Sequence, residues 1–158
     1  MMAVVSVEQR SRFEAVYRQH GHRLLRNVLL YAGDREVAND AVAEAFAQAI
    51  RRGNEVRDPL RWVTKAAYRI AAGELQVRRR GDYPLAEGSY EMPEPTSELV
   101  AAFAKLSPKQ RAAMILHFRD GYTLAEVAEI IGSTTSAVGV HLNRARKRLR
   151  DLMGDPDA

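Results

Sequence analysis

Apolar residues recur along this chain at intervals of three and four, and no stretch shows the strict alternation of a half-buried strand, so the pattern predicts an all-α protein. Ser6, with Gln9 three residues on, predicts a capping box that opens a helix. Its apolar face carries Phe13, Val16, Tyr17, Leu24, Val28 and Tyr31, with His20-Gly21 as a point of interruption. Gly33-Asp34 restarts the chain. A second stripe follows in Val37, Ala41, Val42, Ala45, Phe46, Ala49 and Ile50, ending near Gly53. After the polar stretch 51–58, Asp58 as N-cap and Pro59 at the first helical position predict a third helix to about Arg80, burying Trp62, Val63, Ala66, Ile70 and Leu75.

The periodicity lapses from Gly81 to Ser97, where Gly, Pro, Ser and acidic residues cluster and three of the chain's six prolines fall. Beyond it the punctuation is clear. Ser107-Pro108 with Gln110 predicts a capped helix bearing Ala112, Ile115 and Leu116 and stopped by Gly121. Thr123 with Glu126 is a second capping box, opening a short helix whose Leu124, Val127, Ala128 and Ile131 face inward before Gly132. Thr134 then caps a last helix through Val138, Leu142, Ala145 and Leu149. The expected organisation is a helical domain over 1–80, an acidic linker over 81–98 and a second helical domain over 99–158.

Charge sharpens this division. Residues 1–80 carry 15 Lys and Arg against 9 Asp and Glu, residues 81–98 carry none against 5, and residues 99–158 carry 9 against 6. Two basic blocks flanking an acidic one suit a polyanion partner, though a mildly basic surface is also common in proteins without one. The chain has no cysteine, which fits a reducing compartment and removes any thiolate metal site. Neither a glycine-rich phosphate loop nor a His/Asp/Glu cluster at metal spacing occurs, so no catalytic residue, metal site or cofactor is expected and an enzyme is disfavoured. The apolar run within MMAVVSVEQR is too short for a signal peptide core or a membrane span, so a cytoplasmic protein without membrane contact is expected.

A short helix, a tight turn at Gly132 and a longer Arg-rich helix have the layout of a helix-turn-helix, whose second helix enters the DNA major groove. Thr135, Ser136, Gly139, Val140, Asn143 and Arg144 fall on its outward side, while Arg146, Lys147, Arg148 and Arg150 suit phosphates. Arg144 has the chemistry to pair bidentately with guanine, Asn143 with adenine, and Val140 to touch a thymine methyl. His141 suits a phosphate contact or a packed surface position. A packed helical hairpin with a solvated basic end is the plainer alternative.

The stretch LSPKQRAAMILHFRDGYTLAEVAEIIGSTTSAVGVHLNRARKRLR resembles region 4 of extracytoplasmic-function (ECF) sigma factors, and the VHLNR portion also fits LuxR-type regulators. The N-terminal block separates the two. GDREVANDAVAEAFAQAI is similar to sigma region 2.2, and PLRWVTKAAYRIAAGELQVRRR to regions 2.3 and 2.4. LuxR-type regulators have neither segment. The resemblance covers roughly residues 10–80 and 100–150, in the family's order.

It implies a subunit that lends promoter recognition to core RNA polymerase, with core polymerase and promoter DNA as partners and an anti-sigma factor as a further one. In the family, the polar face of the region 2.2 helix docks on a coiled coil of the largest polymerase subunit, and the matching positions are Asp40, Glu44 and Gln48, spaced by four on one helical face. Arg61, Lys65, Tyr68, Arg69 and the loop from Arg51 to Arg57 are the candidates for holding the unpaired promoter strand; Lys147 joins the recognition-helix residues. Trp62 is either core or a stacking platform. Four positions depart from the family's usual residues: Ala43, where a glutamine is common, Arg69, where an asparagine is, Gly73 for an acid or amide, and Gly139 for Arg or Lys. The linker is either a tether or a negatively charged strand that occupies the polymerase's nucleic-acid channel. Two rivals remain: a stand-alone helix-turn-helix transcriptional regulator with an N-terminal protein-interaction domain, and a sigma-like protein that docks without opening DNA.

Overall fold

The computed structural model describes residues 6–80 and 96–154, among which all regular structure is helical. The acidic segment 81–95 lies outside the described residues. The chain divides into two compact units, residues 1–83 and 84–158.

The first unit is a bundle of three mutually packed helices, α1 (Val7–Ala32), α2 (Arg35–Arg52) and α3 (Pro59–Arg80). Ser6 caps α1, its hydroxyl accepting from the Gln9 amide at 3.2 Å. The expected box is only half made, because the Gln9 side chain donates to the Asn54 side chain instead of returning to Ser6. Helix α1 runs unbroken through His20-Gly21. Gly21 is buried beneath the Tyr17 ring, where a β-carbon would meet Cδ2 at 3.2 Å, so the glycine serves a close approach and breaks nothing. Gly33, at φ 69°, ends α1, and Asp34 at once caps α2 by accepting from the Val37 amide at 3.0 Å.

Every expected α2 core residue is buried except Ile50, which is half-buried, and Ala38, Ala41, Ala45 and Ala49 supply four small buried side chains. Such small side chains let α2 lie close against both α1 and α3. Two ring contacts close the bundle, Tyr17 on Phe46 at 5.3 Å and Tyr31 on Tyr68 at 5.0 Å. Phe13 is fully enclosed, whereas Tyr17, expected inside, is 59% exposed. Pro59 begins α3 behind Asp58, whose carboxylate accepts from the Arg61 amide at 3.2 Å.

The second unit gathers α4 (Ser97–Ala104), α5 (Pro108–Met114) and α6 (Leu124–Ile131) against α7 (Thr135–Met153). Helix α4 begins inside the span read as linker, with Thr96 capping it through the Leu99 amide at 3.2 Å. Both predicted capping boxes are complete, Ser107 with Gln110 and Thr123 with Glu126. After Met114 the backbone widens into a π-turn over Ile115–Arg119, closed by the Asp120 amide on the Ile115 carbonyl at 3.1 Å. Gly121, at φ 76°, then releases the chain. Val127, Ala128 and Ile130 are the buried residues of α6, with Leu124 and Ile131 half-buried. Arg111 is buried too, and its guanidinium donates to the Leu106 carbonyl at 2.8 Å.

Candidate nucleic-acid and polymerase interfaces

Helix α6 ends at Gly132, whose left-handed conformation (φ 67°) lets its amide return to the Ala128 carbonyl. The Ser133 amide reaches the same oxygen at 2.8 Å, and Thr134 caps α7 through the Ala137 amide at 3.1 Å. Three residues thus turn the chain between two well-capped helices, the connection of a helix-turn-helix. Val138, Leu142 and Ala145 of α7 are buried against the unit's core. The opposite face carries Ser136, Val140, Asn143, Arg144 and Lys147, all exposed, with Thr135 exposed at the first turn. Val140, 47% exposed, is an apolar group on a polar face and matches the chemistry of a thymine methyl. Gly139 is half-buried, and nothing lies within 4 Å of where its β-carbon would stand, so packing does not demand a glycine there.

Flanking this face, the Arg146 guanidinium lies 5.7 Å from the centre of the exposed Phe118 ring. His141 is half-buried, and burial, then Lys109 and Arg144, hold its pKa below the ordinary histidine value. Burial and the two neighbouring cations thus disfavour the charged form of this ring.

On α2, Asp40 and Glu44 are exposed and Gln48 is half-buried, on one face as their spacing requires. Glu44 is already engaged, accepting from Arg51 at 2.9 Å and from Gln48 at 3.2 Å; these bonds hold its pKa below the usual value. Asp40 lies near Glu74 of α3, whose carboxyl is pushed up first by burial and then by the charge of Asp40. Ala43 opens beside this face onto a groove of about 250 Å³ between α1 and α2, floored by Gly21 and bordered by Tyr17, Leu25 and Val42.

On α3, Arg61 and Lys65 are half-buried and Arg69 exposed, at successive intervals of four along one ridge. Tyr68 does not join them. It is 3% exposed, with its ring on Tyr31, so the structure corrects its assignment from strand contact to core. The loop arginines are partly committed, Arg51 to Glu44 and Arg52 to Glu55 at 3.4 Å, while Arg57 is exposed. Arg78, first of the terminal arginine cluster, binds the Asp34 carboxylate at 2.7 Å and lies 3.9 Å from Glu36. That contact ties the end of α3 to the start of α2. Among the described residues no group of three or more His, Cys, Asp and Glu is placed to hold a metal, and no helix is long and apolar enough to cross a membrane.

The family described as Sigma-70, region 4 matches residues 96–149, which span α4 through most of α7. SigJ, an ECF RNA polymerase sigma factor of Mycobacterium tuberculosis, is 32% identical over 93% of this chain and 53% of its own length. SigM of the same organism, also an ECF RNA polymerase sigma factor, is 28% identical over 98% of this chain and 83% of its own. The chain is thus similar in sequence to ECF sigma factors along most of its length. It spans about half the length of SigJ and most of SigM. Among solved structures, the chain is similar in fold to the sigma factor RpoE of Bartonella quintana, solved with the anti-sigma factor NepR. That match has a TM-score of 0.80 at 18% identity and covers 92% of this chain and 98% of the other. The crystal structure of SigJ gives a TM-score of 0.65 at 26% identity, covering 92% of this chain and 54% of that one.

Proposed function

We propose that this protein is the promoter-recognition subunit of a bacterial RNA polymerase: it binds the core enzyme, directs it to a promoter and starts transcription, with no catalytic chemistry of its own. The observation that carries the reading is the pairing, in one chain, of a helix-turn-helix with a largely exposed outer face and a three-helix unit that carries a polar, acidic face on α2 and a cationic ridge on α3.

Asp40, Glu44 and Gln48 of α2 receive a basic helix of the polymerase, with Asp40 the leading contact because Glu44 must first leave Arg51. An exposed ion pair of that kind is worth about 0.2–1 kcal/mol, so its exchange is inexpensive. Arg61, Lys65 and Arg69 hold the phosphates of the unpaired strand. Thr135, Ser136, Gly139, Val140, Asn143, Arg144 and Lys147 line the helix that faces duplex DNA, Asn143 and Arg144 reading bases and Lys147 meeting phosphate. The reading carries with it a cytoplasmic location and the domain limits 1–80, 81–98 and 99–158. It also admits an anti-sigma factor as a partner that occupies these surfaces when promoter binding is withheld.

Run-off transcription of fragmented bacterial genomic DNA by core polymerase, with and without the chain, tests the reading. Discrete start sites that depend on the chain are expected. A chain that shifts duplex fragments alone and leaves start sites unchanged contradicts it and supports a stand-alone regulator.

A further inference from the structure

Helix α7 carries one side chain that packing does not account for. Between Thr135 and Arg150 every exposed residue of α7 bears a polar or charged group except Val140, which is 47% exposed. An isolated apolar residue on a surface is ordinary, and by that measure alone Val140 is unremarkable. Its neighbours set it apart. Gly139 precedes it, and nothing lies within 4 Å of where a β-carbon on that glycine would stand, so beside Val140 the helix presents bare backbone next to open space. Asn143 and Arg144 stand four residues after Gly139 and Val140, on the same side of the helix, and both are exposed.

Glycine and valine are both poorer helix formers than alanine, and no burial offsets the pair here. What they offer is to a ligand. Without a side chain at 139 the α7 backbone comes close to a surface it lies against, and the two methyl groups of Val140 lead the contact, held by the narrow rotamer choice of a β-branched residue. The rest of α7 fixes that approach, because Thr134 caps its first turn and Val138 and Leu142 are buried on the other side. In the major groove the apolar group on a base edge is the C5 methyl of thymine, where cytosine carries only hydrogen. 5-Methylcytosine bears the same methyl on the same carbon, so an apolar contact at that point reads the methyl itself and not the hydrogen-bonding edge. Asn143 and Arg144 then supply the hydrogen bonds for adjoining bases.

We infer that Gly139 and Val140 form a methyl-reading contact in the major groove, so that duplex recognition by this chain responds to the methylation state of cytosine as well as to thymine. This inference rests on the sigma-factor reading above and deepens its duplex contact.

The test uses the full-length chain assembled with core polymerase and, as probe, a pool of duplex DNA randomised over about one helical turn. The most enriched duplex is resynthesised with uracil in place of each thymine in turn and with 5-methylcytosine in place of each cytosine in turn. Wild type, Val140→Thr, Val140→Ala and Gly139→Arg are compared for affinity towards these duplexes and for thermal unfolding of the chain. Burying one methyl group is worth about fourfold in affinity, so wild type should lose about fourfold at one position when its thymine becomes uracil, or gain as much where its cytosine is methylated. Val140→Ala should bring the two forms of that base together, and Val140→Thr, which keeps one of the two methyls, should retain part of the difference. Neither should alter unfolding, since the side chain is exposed. Gly139→Arg, which gains a phosphate contact but holds the helix off the bases, should bind duplex no worse while the methyl difference shrinks. A wild-type holoenzyme that binds methylated and unmethylated forms alike at every position, or a difference that survives Val140→Ala in full, overturns the inference and leaves the sigma-factor reading standing. A wild-type chain that enriches no duplex sequence beyond those held by core polymerase alone overturns both.

Discussion

Helices α3 and α7 are both proposed to meet DNA, yet they divide their surfaces differently. Helix α7 buries a narrow stripe of Val138, Leu142 and Ala145 and leaves the opposite face to solvent, so packing and recognition occupy separate side chains. Helix α3 packs against two neighbours, and its buried set of Val63, Thr64, Ala66, Ala67, Tyr68, Ala71 and Leu75 takes up most of its circumference. What remains for nucleic acid is a single ridge, and even its arginine-rich end gives Arg78 to an ion pair with Asp34. The width of the buried face therefore limits how freely a helix's surface can be altered: substitutions on α7 should act on binding, those on α3 on folding and binding together.

Tyr68→Ala should show the largest effect. Removing a buried aromatic ring destabilises by about 3–5 kcal/mol, so urea unfolding of the chain should shift its first transition to markedly lower denaturant. An unshifted transition would return Tyr68 to the surface and erase the contrast. Arg144→Ala should weaken duplex binding by about 2 kcal/mol while thermal stability changes by less than about 0.5 kcal/mol. Equal losses of binding and stability there would mean that α7 mixes its tasks as α3 does. Arg78→Met leaves the buried Asp34 without its cation, and about 1.5 kcal/mol of stability should be lost given the partial exposure of Arg78. Gly139→Ala should stabilise the second unit by up to about 1 kcal/mol, since the site is open and alanine favours helix; destabilisation in calorimetry would show that the glycine is required by packing.

Acidity separates the two units by sign as well. The His141 pKa is lowered in the folded chain, so the unfolded chain binds the proton first. The stability that its neutral ring confers is present above the ordinary histidine value, about 6.5, and is lost as pH falls below it. Glu74 works oppositely: its raised pKa means the folded chain holds the proton more tightly, so its contribution declines as pH rises through the folded value. His141→Gln should flatten the acid-side loss in the second unit's unfolding curve, and Glu74→Gln should stabilise the first unit at neutral pH. Identical pH profiles for wild type and variants would contradict both assignments.

The capped boundaries were legible in the sequence because a cap is a contact over three residues. Ser6, Asp58, Ser107, Thr123 and Thr134 all accept from the amide three positions on. Helix α4 escaped because eight residues adjoining a proline-rich acidic stretch are too few to display a period. The π-turn escaped because it is a property of backbone pairing, not of side-chain spacing. Tyr68 was misplaced because its place on a helical wheel does not reveal that α3 has a neighbour on both sides. Nothing in the helical spacing singles out Arg12 or Arg111, because Arg12 holds a carbonyl 44 residues along the chain and Arg111 one that lies five residues back, before the Ser107 cap. Within α7 the outward residues were placed well, for there the exposed face is simply the complement of one narrow stripe.

The claim that these surfaces serve one polymerase subunit is tested most directly by co-elution of the purified chain with bacterial core RNA polymerase in the absence of DNA, comparing wild type with Asp40→Arg and Glu44→Arg. The account predicts that wild type co-elutes, that Asp40→Arg does not, and that Glu44→Arg retains more binding than Asp40→Arg because Glu44 is already shared with Arg51. A wild-type chain that elutes apart from the polymerase, or an Asp40→Arg variant that binds as well as wild type, would contradict it.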